Sequence, residues 1–274
     1  MYMNKNLTVI AVIYNTKKKL LDDFIKRIDK NYNILLVDNS ETYNFNYLNS
    51  KKNINIYHSR KNNGNGDGIN IALKKVNTPY AIYFDIDTVF ENNFLRKIEK
   101  YIFKVHNFSI LIPNINNSSD SPKDFFELYN GQGAAMLFNV SEIVKIGMFD
   151  TNYFLYREES DLFLRCQRFN KKIFVLPKIN IKHNGSSSIE GDNIDLGLIK
   201  LRNWHYMWSY FYFFKKNYSY FFAIKKTYSF LFKDFIKLIL FLIKKDRINI
   251  CIRTSRLTGL LSSILLFKSS KRLK

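Results

Sequence analysis

The chain has 274 residues with 46% hydrophobic side chains and only 4 prolines, which excludes a protein that is disordered throughout. This length suits one large α/β domain with an appendage, or two small domains. The net charge is +20, and residues 200–274 hold 17 Lys and Arg side chains against only Asp234 and Asp246. A basic C-terminal segment of this kind indicates a polyanionic partner, either nucleic acid or an anionic membrane surface.

The cysteine content and the N-terminal residues bear on the compartment. Cys166 and Cys251 form neither a metal-ligand spacing nor a disulfide framework, so a reducing compartment is expected. The apolar run at residues 7–14 is short and leads into three lysines rather than a cleavage site, so it does not resemble a signal peptide. We therefore expect a cytoplasmic protein.

The first 84 residues alternate between strand-like and helix-like patterns. Apolar residues recur at helical spacing between Leu20 and Ile28, and a second helix is predicted from about Ile69 to Val76. Apolar runs of strand length occupy residues 7–14, 34–37, 54–57 and 80–84. This alternation predicts an α/β fold with a doubly wound, mostly parallel sheet, in which ligands bind beyond the carboxyl ends of the strands.

Polar residues lie where these strands are predicted to end. Asn15 follows the first strand, Asp38 the second, and Asp85 and Asp87 the fourth. On an extended chain the i, i+2 spacing puts both carboxylates on one side, where they repel each other unless a cation lies between them. Oxygen ligands of this type suit Mg²⁺ or Mn²⁺, although a loop with two solvated aspartates is the alternative.

The third strand is followed by a loop with three glycines at residues 62–68. Glycines allow backbone amides to approach a phosphate or a sugar without obstruction by a Cβ atom. The loop matches neither the Walker pattern nor the dinucleotide-binding spacing, and a plain turn is the alternative.

The second half of the chain adds further candidate residues. Gly133 and Ala134 lead into an apolar strand, where small residues leave room for a ligand or allow tight packing. An amphipathic helix begins with three acidic residues, which either cap the helix or include a general base; they are Glu158, Glu159 and Asp161. His183 follows a last predicted strand at 173–176 and is either an ordinary histidine or a metal ligand together with Asp87.

The order of these motifs resembles the inverting family 2 glycosyltransferases with the GT-A fold, in particular their rhamnosyltransferase-like branch. The resemblance covers residues 7–205. It is carried by residues 9–15, 37–40, 62–70, 85–87, 133–137, 147–150, 156–165, 183–186 and 202–203.

The resemblance implies roles for the residues at the strand ends. Asp38 would contact the pyrimidine base of a UDP- or dTDP-sugar, with Tyr14 and Asn15 lining the same pocket. Asn63 and Gly64 would lie along the nucleotide and the donor sugar. Asp85 would hold the ribose or support the metal, and Asp87 would bind the Mn²⁺ or Mg²⁺ ion that bridges the diphosphate. His183 would be a further metal ligand, and Gly133 and Ala134 are expected on the acceptor side.

The resemblance also implies a catalytic base. The second acidic residue of the family's Glu-Asp-x-Asp motif corresponds to Glu159. Because glutamate replaces the commoner aspartate there, Glu158 and Asp161 remain alternatives. Met148 and Thr151 also stand where the family often has Gly and Glu.

The implied reaction moves a sugar to a lipid-linked or surface-polysaccharide acceptor of the capsule or lipopolysaccharide type. A catalytically inactive GT-A module that scaffolds a glycan-assembly complex is the alternative. A nucleotidyltransferase is less favoured, because Asn15 and Thr16 offer no basic triphosphate loop after the first strand.

The basic segment sets the predicted domain boundary, with a catalytic domain at 1–200 and a helical, membrane-associating region at 201–274. None of its apolar runs reaches the roughly 18–20 residues that span a bilayer. Apolar residues between Phe230 and Leu242 recur at helical spacing beside lysines, which predicts an amphipathic helix on the inner face of the cell membrane. The alternative is a helix packed on the catalytic domain. Nucleic acid is not expected as a partner, because the apolar face is too wide.

Overall fold

A computed structural model describes residues 6–42, 45–48, 50–183, 185 and 196–272. The chain forms two compact units. The first, called the sheet unit here, comprises Met1–Phe149 and Leu162–Glu190, and the second, the helical unit, comprises Asp150–Asp161 and Gly191–Lys274. The predicted boundary at residue 200 lies inside a helix of the second unit.

The described residues of the sheet unit alternate between strands and helices as the apolar runs predict. The strands are β1 (Leu7–Ile13), β2 (Asn33–Asp38), β3 (Ile54–His58), β4 (Tyr80–Phe84), β5 (Thr88–Val89), β6 (Phe108–Ile115), β7 (Phe126–Glu127), β8 (Ala135–Asn139) and β9 (Lys172–His183). The helices are α1 (Lys18–Lys26), α2 (Asn65–Lys75), α3 (Phe94–Lys104), α4 (Val140–Ile146) and α5 (Glu158–Arg168), whose first four residues belong to the helical unit.

The strands form one mostly parallel sheet, which confirms the predicted fold class. Their order is β3-β2-β1-β4-β8-β6-β9-β5, and β7 also pairs with β9. Strands β1 to β4 pair in parallel, and β6 pairs in parallel with β9. Strand β8 runs antiparallel to both of its neighbours, β4 and β6. The carboxyl ends of β1, β2, β3 and β4 therefore lie along one edge of the sheet.

Apolar side chains on both faces of the central strands hold this sheet together. In β1, six of the seven residues are buried, as expected for a central parallel strand. Phe84 at the end of β4 stacks on Phe90 at 4.5 Å between ring centroids, and Phe90 contacts Phe94 of α3 at 5.2 Å. Burying each such side chain contributes about 1.5–3 kcal/mol, so this cluster stabilises the turn that carries Asp85 and Asp87.

Two predicted boundaries in the sheet unit are wrong. Helix α2 begins at Asn65 rather than at Ile69, so most of the predicted glycine loop is helical. Asp67 in its first turn interacts favourably with the helix dipole, which offsets part of the poor helix propensity of the two glycines in α2. Strand β9 continues to His183 instead of ending at residue 176, because buried and exposed residues alternate up to residue 182.

The helical unit contains three long helices, α6 (Leu196–Asn217), α7 (Tyr220–Ile243) and α8 (Arg247–Ile264). Met207 and Phe211 of α6 form a buried cluster with Ala223 and Leu260. The buried Asp234 of α7 accepts hydrogen bonds from Arg253 and Arg256 of α8, at 2.8 and 2.7 Å. No helix in the described part of the chain is both long enough and apolar enough to cross a membrane.

Candidate functional site

Asp85 and Asp87 lie in a tight turn between β4 and β5. The Asp85 N–H donates to the carbonyl of Ala134 at 2.8 Å, and the Thr88 N–H donates to the carbonyl of Asp85 at 3.0 Å. The Asp87 side chain is buried and that of Asp85 is partly exposed. The turn therefore presents two carboxylates beyond the carboxyl end of β4, although the chain turns at this point instead of running extended as expected from the i, i+2 spacing.

His183 joins the two carboxylates from the end of β9. Strand β9 pairs with β5 so that His183 lies opposite Thr88, one residue after Asp87. The His183 Nε2 atom is 3.3 Å from Asp85 Oδ2 and 3.2 Å from Asp87 Oδ1. All three side chains thus offer one ligand atom within 4.8 Å of the others.

This group fits one divalent cation. Two ligands at right angles around a cation, each about 2.1 Å from it, lie about 3 Å apart, and both histidine–carboxylate distances are close to that separation. Two carboxylates and one imidazole are ligand types that divalent metal ions commonly take in proteins. The residues present therefore fit the metal that the resemblance implies.

Asn116 and a bulge in β9 place His183. The Asn116 side chain accepts from the His183 N–H at 2.9 Å and donates to the His183 carbonyl at 3.1 Å. Pro113 pairs with Leu176, but the next residue, Asn114, pairs with Asn180, so β9 holds three extra residues. The Asn114 amide donates to the Pro177 carbonyl and to Asn180 Oδ1. These contacts fix the part of β9 after the bulge, residues 180–183, and therefore the position of His183.

The predicted nucleotide-binding residues at the ends of β1 and β2 are held by a hydrogen-bond network. Asp38 is fully buried. Its Oδ1 accepts from the Ser40 N–H at 3.0 Å, and its Oδ2 lies 2.9 Å from His58 Nδ1. Asn15 has a left-handed backbone (φ 45°), and its N–H donates to Ser40 Oγ at 2.8 Å. The Tyr14 N–H donates to Thr16 Oγ1 at 3.3 Å. The carboxylate of Asp38 therefore connects the end of β2 to the end of β3 beside the predicted pocket.

The loop before α2 reaches the same edge of the sheet. Gly64 has φ 102°, a conformation that favours glycine, and its carbonyl accepts from Asn39 Nδ2 at 3.2 Å. Asn63 donates to Asp67 at 3.1 Å. The Tyr83 hydroxyl donates to Asp85 Oδ1 and lies 3.1 Å from Asn65 Oδ1. Tyr83 thus connects the first residue of α2 to the candidate metal ligand Asp85.

Gly133 and Ala134, predicted on the acceptor side, precede β8. Ala134 is buried, and its carbonyl accepts from the Asp85 N–H and from Thr88 Oγ1 at 3.3 Å. The backbone of Ala134 therefore supports the turn that carries the carboxylates.

The three acidic residues of α5 lie in the helical unit and differ in their surroundings. Asp161 is fully buried and accepts from Lys216 Nζ at 2.9 Å and from Asn217 Nδ2 at 3.0 Å. Glu158 is buried and Glu159 is partly exposed. The residue keeps some solvent exposure, but desolvation of its carboxyl group raises the pKa of Glu159. A hydrogen bond from its own backbone N–H and the nearby Arg157 oppose this shift only in part.

Sequence reasoning missed four residues that shape these groups. Tyr83 and Asn116 contact the candidate metal ligands, and Lys216 and Asn217 contact Asp161. Tyr83 belongs to an apolar strand and Lys216 to a run of aromatic and basic residues, so no local pattern distinguishes them. Asn116 carries one weak signal, because an Asn-Asn pair directly after a strand is typical of a left-handed turn.

Comparison with known proteins identifies the family. Residues 8–174 match the family described as glycosyl transferase family 2. The dTDP-rhamnosyl transferase RfbF of Shigella flexneri is 22% identical over 245 residues, which cover 79% of this chain and 82% of that protein.

Solved structures agree on the fold. The mannosyltransferase PcManGT of Pyrobaculum calidifontis, in complex with GDP-Man and Mn²⁺, is 12% identical with a TM-score of 0.56, covering 96% of this chain and 88% of that one. GalNAc-T7 with UDP, GalNAc and Mn²⁺ is also 12% identical with a TM-score of 0.56, and the match covers 80% of this chain. It spans only 56% of the GalNAc-T7 chain. The chain therefore belongs to glycosyl transferase family 2 and is a glycosyltransferase with the GT-A fold.

Proposed function

We propose that this chain transfers a sugar, with inversion, from a UDP- or dTDP-sugar to a lipid-linked or surface-polysaccharide acceptor of the capsule or lipopolysaccharide type. The observation that carries the proposal is the convergence of Asp85, Asp87 and His183 at the carboxyl edge of the sheet. The names of the relatives support a nucleotide-sugar donor, since one is a dTDP-rhamnosyl transferase and another is bound to GDP-Man and Mn²⁺.

The residues of the sheet unit bind and orient the donor in this proposal. Asp85, Asp87 and His183 would hold Mn²⁺ or Mg²⁺, which when bound stabilises the charge on the departing diphosphate. Asp38, Tyr14 and Asn15 shape the pocket for the base, and Asn63 and Gly64 border the nucleotide and the sugar. A donor fixed at both ends presents its anomeric carbon in one orientation, which lowers the entropic barrier to attack.

Glu159 is the proposed general base. It would take the proton of the acceptor hydroxyl as the acceptor oxygen bonds to the anomeric carbon and the bond to the diphosphate breaks. A base works best when its pKa lies near the working pH, and burial shifts the pKa of Glu159 in that direction. Asp161 is less suited, because Lys216 and Asn217 engage both of its oxygens.

A donor screen tests this reaction. The purified chain is incubated with Mn²⁺ or Mg²⁺ and a panel of nucleotide sugars, and both thermal shift and release of nucleoside diphosphate are measured. We expect one donor to bind and turn over only with the metal, and Asp87→Ala to lose both effects. Asp120→Ala removes an exposed aspartate of the same unit and is the matched control.

Two results would contradict the proposal. If no nucleotide sugar shifts the melting temperature at millimolar concentration, the chain has no donor site. If a donor binds with metal but no acceptor preparation gives turnover, the inactive scaffold becomes the better description.

We further propose that α7 attaches the protein to the anionic inner face of the cell membrane. Large apolar side chains on one side of α7 are exposed, including Phe221 at 83%. The others are Tyr228, Phe232, Phe235, Ile236, Ile239, Leu240, Leu242 and Ile243. The spacing of these residues gives a continuous stripe along the helix, and exposed lysines flank it at 226, 233, 237 and 244. An apolar stripe beside a row of cations matches the boundary between acyl chains and anionic headgroups.

Vesicle sedimentation tests this attachment. We expect the full chain to pellet with phosphatidylglycerol vesicles and much less with phosphatidylcholine vesicles, and the pair Phe232→Ser and Phe235→Ser to weaken pelleting. Phe103→Ser is the matched control, because Phe103 is 71% exposed on α3 of the sheet unit. Equal pelleting of both variants and the wild type, or none by the wild type, would overturn the membrane proposal without affecting the proposed reaction.

A further inference from the structure

Helix α6 makes side-chain contacts along the whole segment that contains the start of α5 and the residues before it. This segment, residues 150–161, is called the acidic segment here, and it belongs with α6 to the helical unit. The Ser209 hydroxyl donates to the carbonyl of Leu155 at 2.7 Å, and Tyr212 stacks edge-on against Tyr153 with ring centroids 4.9 Å apart. The segment is therefore built against one helix rather than exposed as an ordinary surface loop.

The turn just before Glu158 has an unusual backbone. Tyr156 and Arg157 have φ values of 68° and 70°, in the left-handed region that non-glycine residues rarely adopt. Two contacts with α6 hold this turn. The Arg157 guanidinium lies 4.8 Å from the centroid of the Tyr210 ring, and Tyr156 packs edge-on against Tyr206 at 5.8 Å. The turn sets where α5 begins and hence where Glu158 and Glu159 stand.

The last residues of α6 hold the two ends of the acidic segment together. Lys216 Nζ lies 2.7 Å from Asp150 Oδ2 and 2.8 Å from Asp161 Oδ1, so one ammonium group bridges two carboxylates. Asn217 Nδ2 adds a hydrogen bond to Asp161 at 3.0 Å. Burial alone would raise the pKa of Asp150, but hydrogen bonds from Lys216 and Asn152 outweigh burial and lower it. Lys216 therefore favours the charged form of Asp150 and ties it to Asp161 at the opposite end of the segment.

We propose that Lys216 and Asn217 are positioning residues for Glu159. Asp161 is two residues beyond Glu159 in the same helical turn, so tethering Asp161 fixes the first turn of α5 and the direction of the Glu159 side chain. Both positioning residues lie outside residues 8–174, which match the family. The end of α6 thus positions the proposed base, and the inference rests on the proposed role of Glu159.

The kinetic test compares two adjacent lysines of α6. Lys216→Met removes the bridge, whereas Lys215→Met removes the same charge from the neighbouring residue, which lies over the Tyr212 ring. We expect Lys216→Met to lower kcat about tenfold or more, since small displacements of reacting groups have effects of this size. The KM for the donor should stay within about twofold of the wild-type value, because the donor site does not change. Lys215→Met should behave like the wild type.

The pH profile and a conservative variant separate positioning from general damage to the fold. In the pH profile of kcat, we expect Lys216→Met to keep the midpoint of the fall at low pH and to lower the plateau. The variant displaces Glu159 but leaves the pKa of its carboxyl group unchanged. Lys216→Arg can still bridge Asp150 and Asp161 and should recover most of the rate. A purely structural role would change the melting temperature and leave the kcat of the folded fraction unaltered.

Hydrogen exchange tests the inference without any turnover. Amides in residues 150–161 should exchange faster in Lys216→Met and in Asn217→Ser than in the wild type and in Lys215→Met. Unchanged exchange, or a kcat equal to that of Lys215→Met, would overturn the positioning role. If the wild type itself turns over no donor while exchange changes as expected, the proposed reaction fails and the structural link between α6 and α5 stands.

Discussion

The two units hold their acidic residues by different means. In the sheet unit, backbone pairing between β5 and β9 brings His183 next to Asp85 and Asp87. In the helical unit, Asp161 is held by the side chains of Lys216 and Asn217, which lie more than 50 residues away along the chain. A site built by strand register can be predicted from the order of strands and the residues at their ends. A site built by contacts between side chains of distant segments has no such signature.

The largest expected effect separates the roles of the two glutamates at the start of α5. We predict that Glu159→Gln lowers kcat by about 10²–10⁴, the usual contribution of a general base, with little change in donor binding. Gln keeps the shape of the side chain but cannot accept the proton. Initial rates with saturating donor, and donor binding by calorimetry, measure the two quantities.

The pH dependence adds a second criterion. The base must be ionised to act, so the rate falls as the pH drops through the pKa of Glu159, and burial places this midpoint above the ordinary value for glutamate. We expect Glu159→Gln to lose this limb and the matched Glu158→Gln to retain it. If Glu158→Gln has the larger effect, the base is the neighbouring residue and the correspondence with the family motif is displaced by one position.

The second prediction concerns packing in the helical unit. A Cβ atom on Gly259 of α8 would lie 2.2 Å from the backbone carbonyl oxygen of Trp204 in α6. A backbone atom cannot rotate away, so the helices must separate, and we predict that Gly259→Ala costs about 3 kcal/mol. Urea unfolding measures this loss, with Thr254→Ala on the exposed side of α8 as control. Equal stability of the two variants would show that α6 and α8 tolerate a wider spacing.

Local patterns were sufficient for most of the sheet unit. Continuous apolar runs predicted β1 to β4, and the parallel order followed from the alternation with helices. Asp85 and Asp87 were identified from their spacing at the end of β4, and His183 as a residue able to complete the group. The start of α2 was missed because glycines normally disfavour helix, and here the tight approach to β1 requires one of them.

The helical unit could not be predicted to the same depth. The amphipathic pattern indicated helices in the tail, but the same pattern fits a helix on a membrane and a helix on a protein. The partners of Asp161 and the left-handed turn at Tyr156 and Arg157 depend on three-dimensional contacts with α6. Residue spacing in the sequence therefore predicts neither the partners of Asp161 nor this turn.

The third prediction tests how strongly the sheet unit holds its candidate metal ligands. Asn116 makes two hydrogen bonds to the backbone of His183. We predict that Asn116→Ala raises the metal concentration needed for half-maximal activity about tenfold, since loss of a residue that orients a ligand typically costs this much. Metal titration of the activity measures the shift, and Asn117→Ala changes the adjacent exposed residue as control. An unchanged midpoint would mean that β5 and β9 pairing alone orients His183.

The smallest expected effect is on the contact between α2 and β1. A Cβ atom on Gly68 would lie 2.7 Å and 2.8 Å from the two methyl groups of Val12. Valine has one rotatable bond, so part of the strain passes to the helix, at a cost of about 1–3 kcal/mol. The better helix propensity of alanine returns about 1 kcal/mol, which leaves a net loss near 1 kcal/mol.

Val12→Ala in the same background removes the two methyl groups that clash, which makes a double-mutant cycle informative. We expect Gly68→Ala to destabilise the wild type and to be neutral or stabilising beside Val12→Ala. A side chain can be exchanged to relieve a clash in the sheet unit, whereas the backbone contact at Gly259 in the helical unit offers no such remedy. If Gly68→Ala costs the same in both backgrounds, the strain lies in the backbone of α2, and the two glycines serve the same purpose in both units.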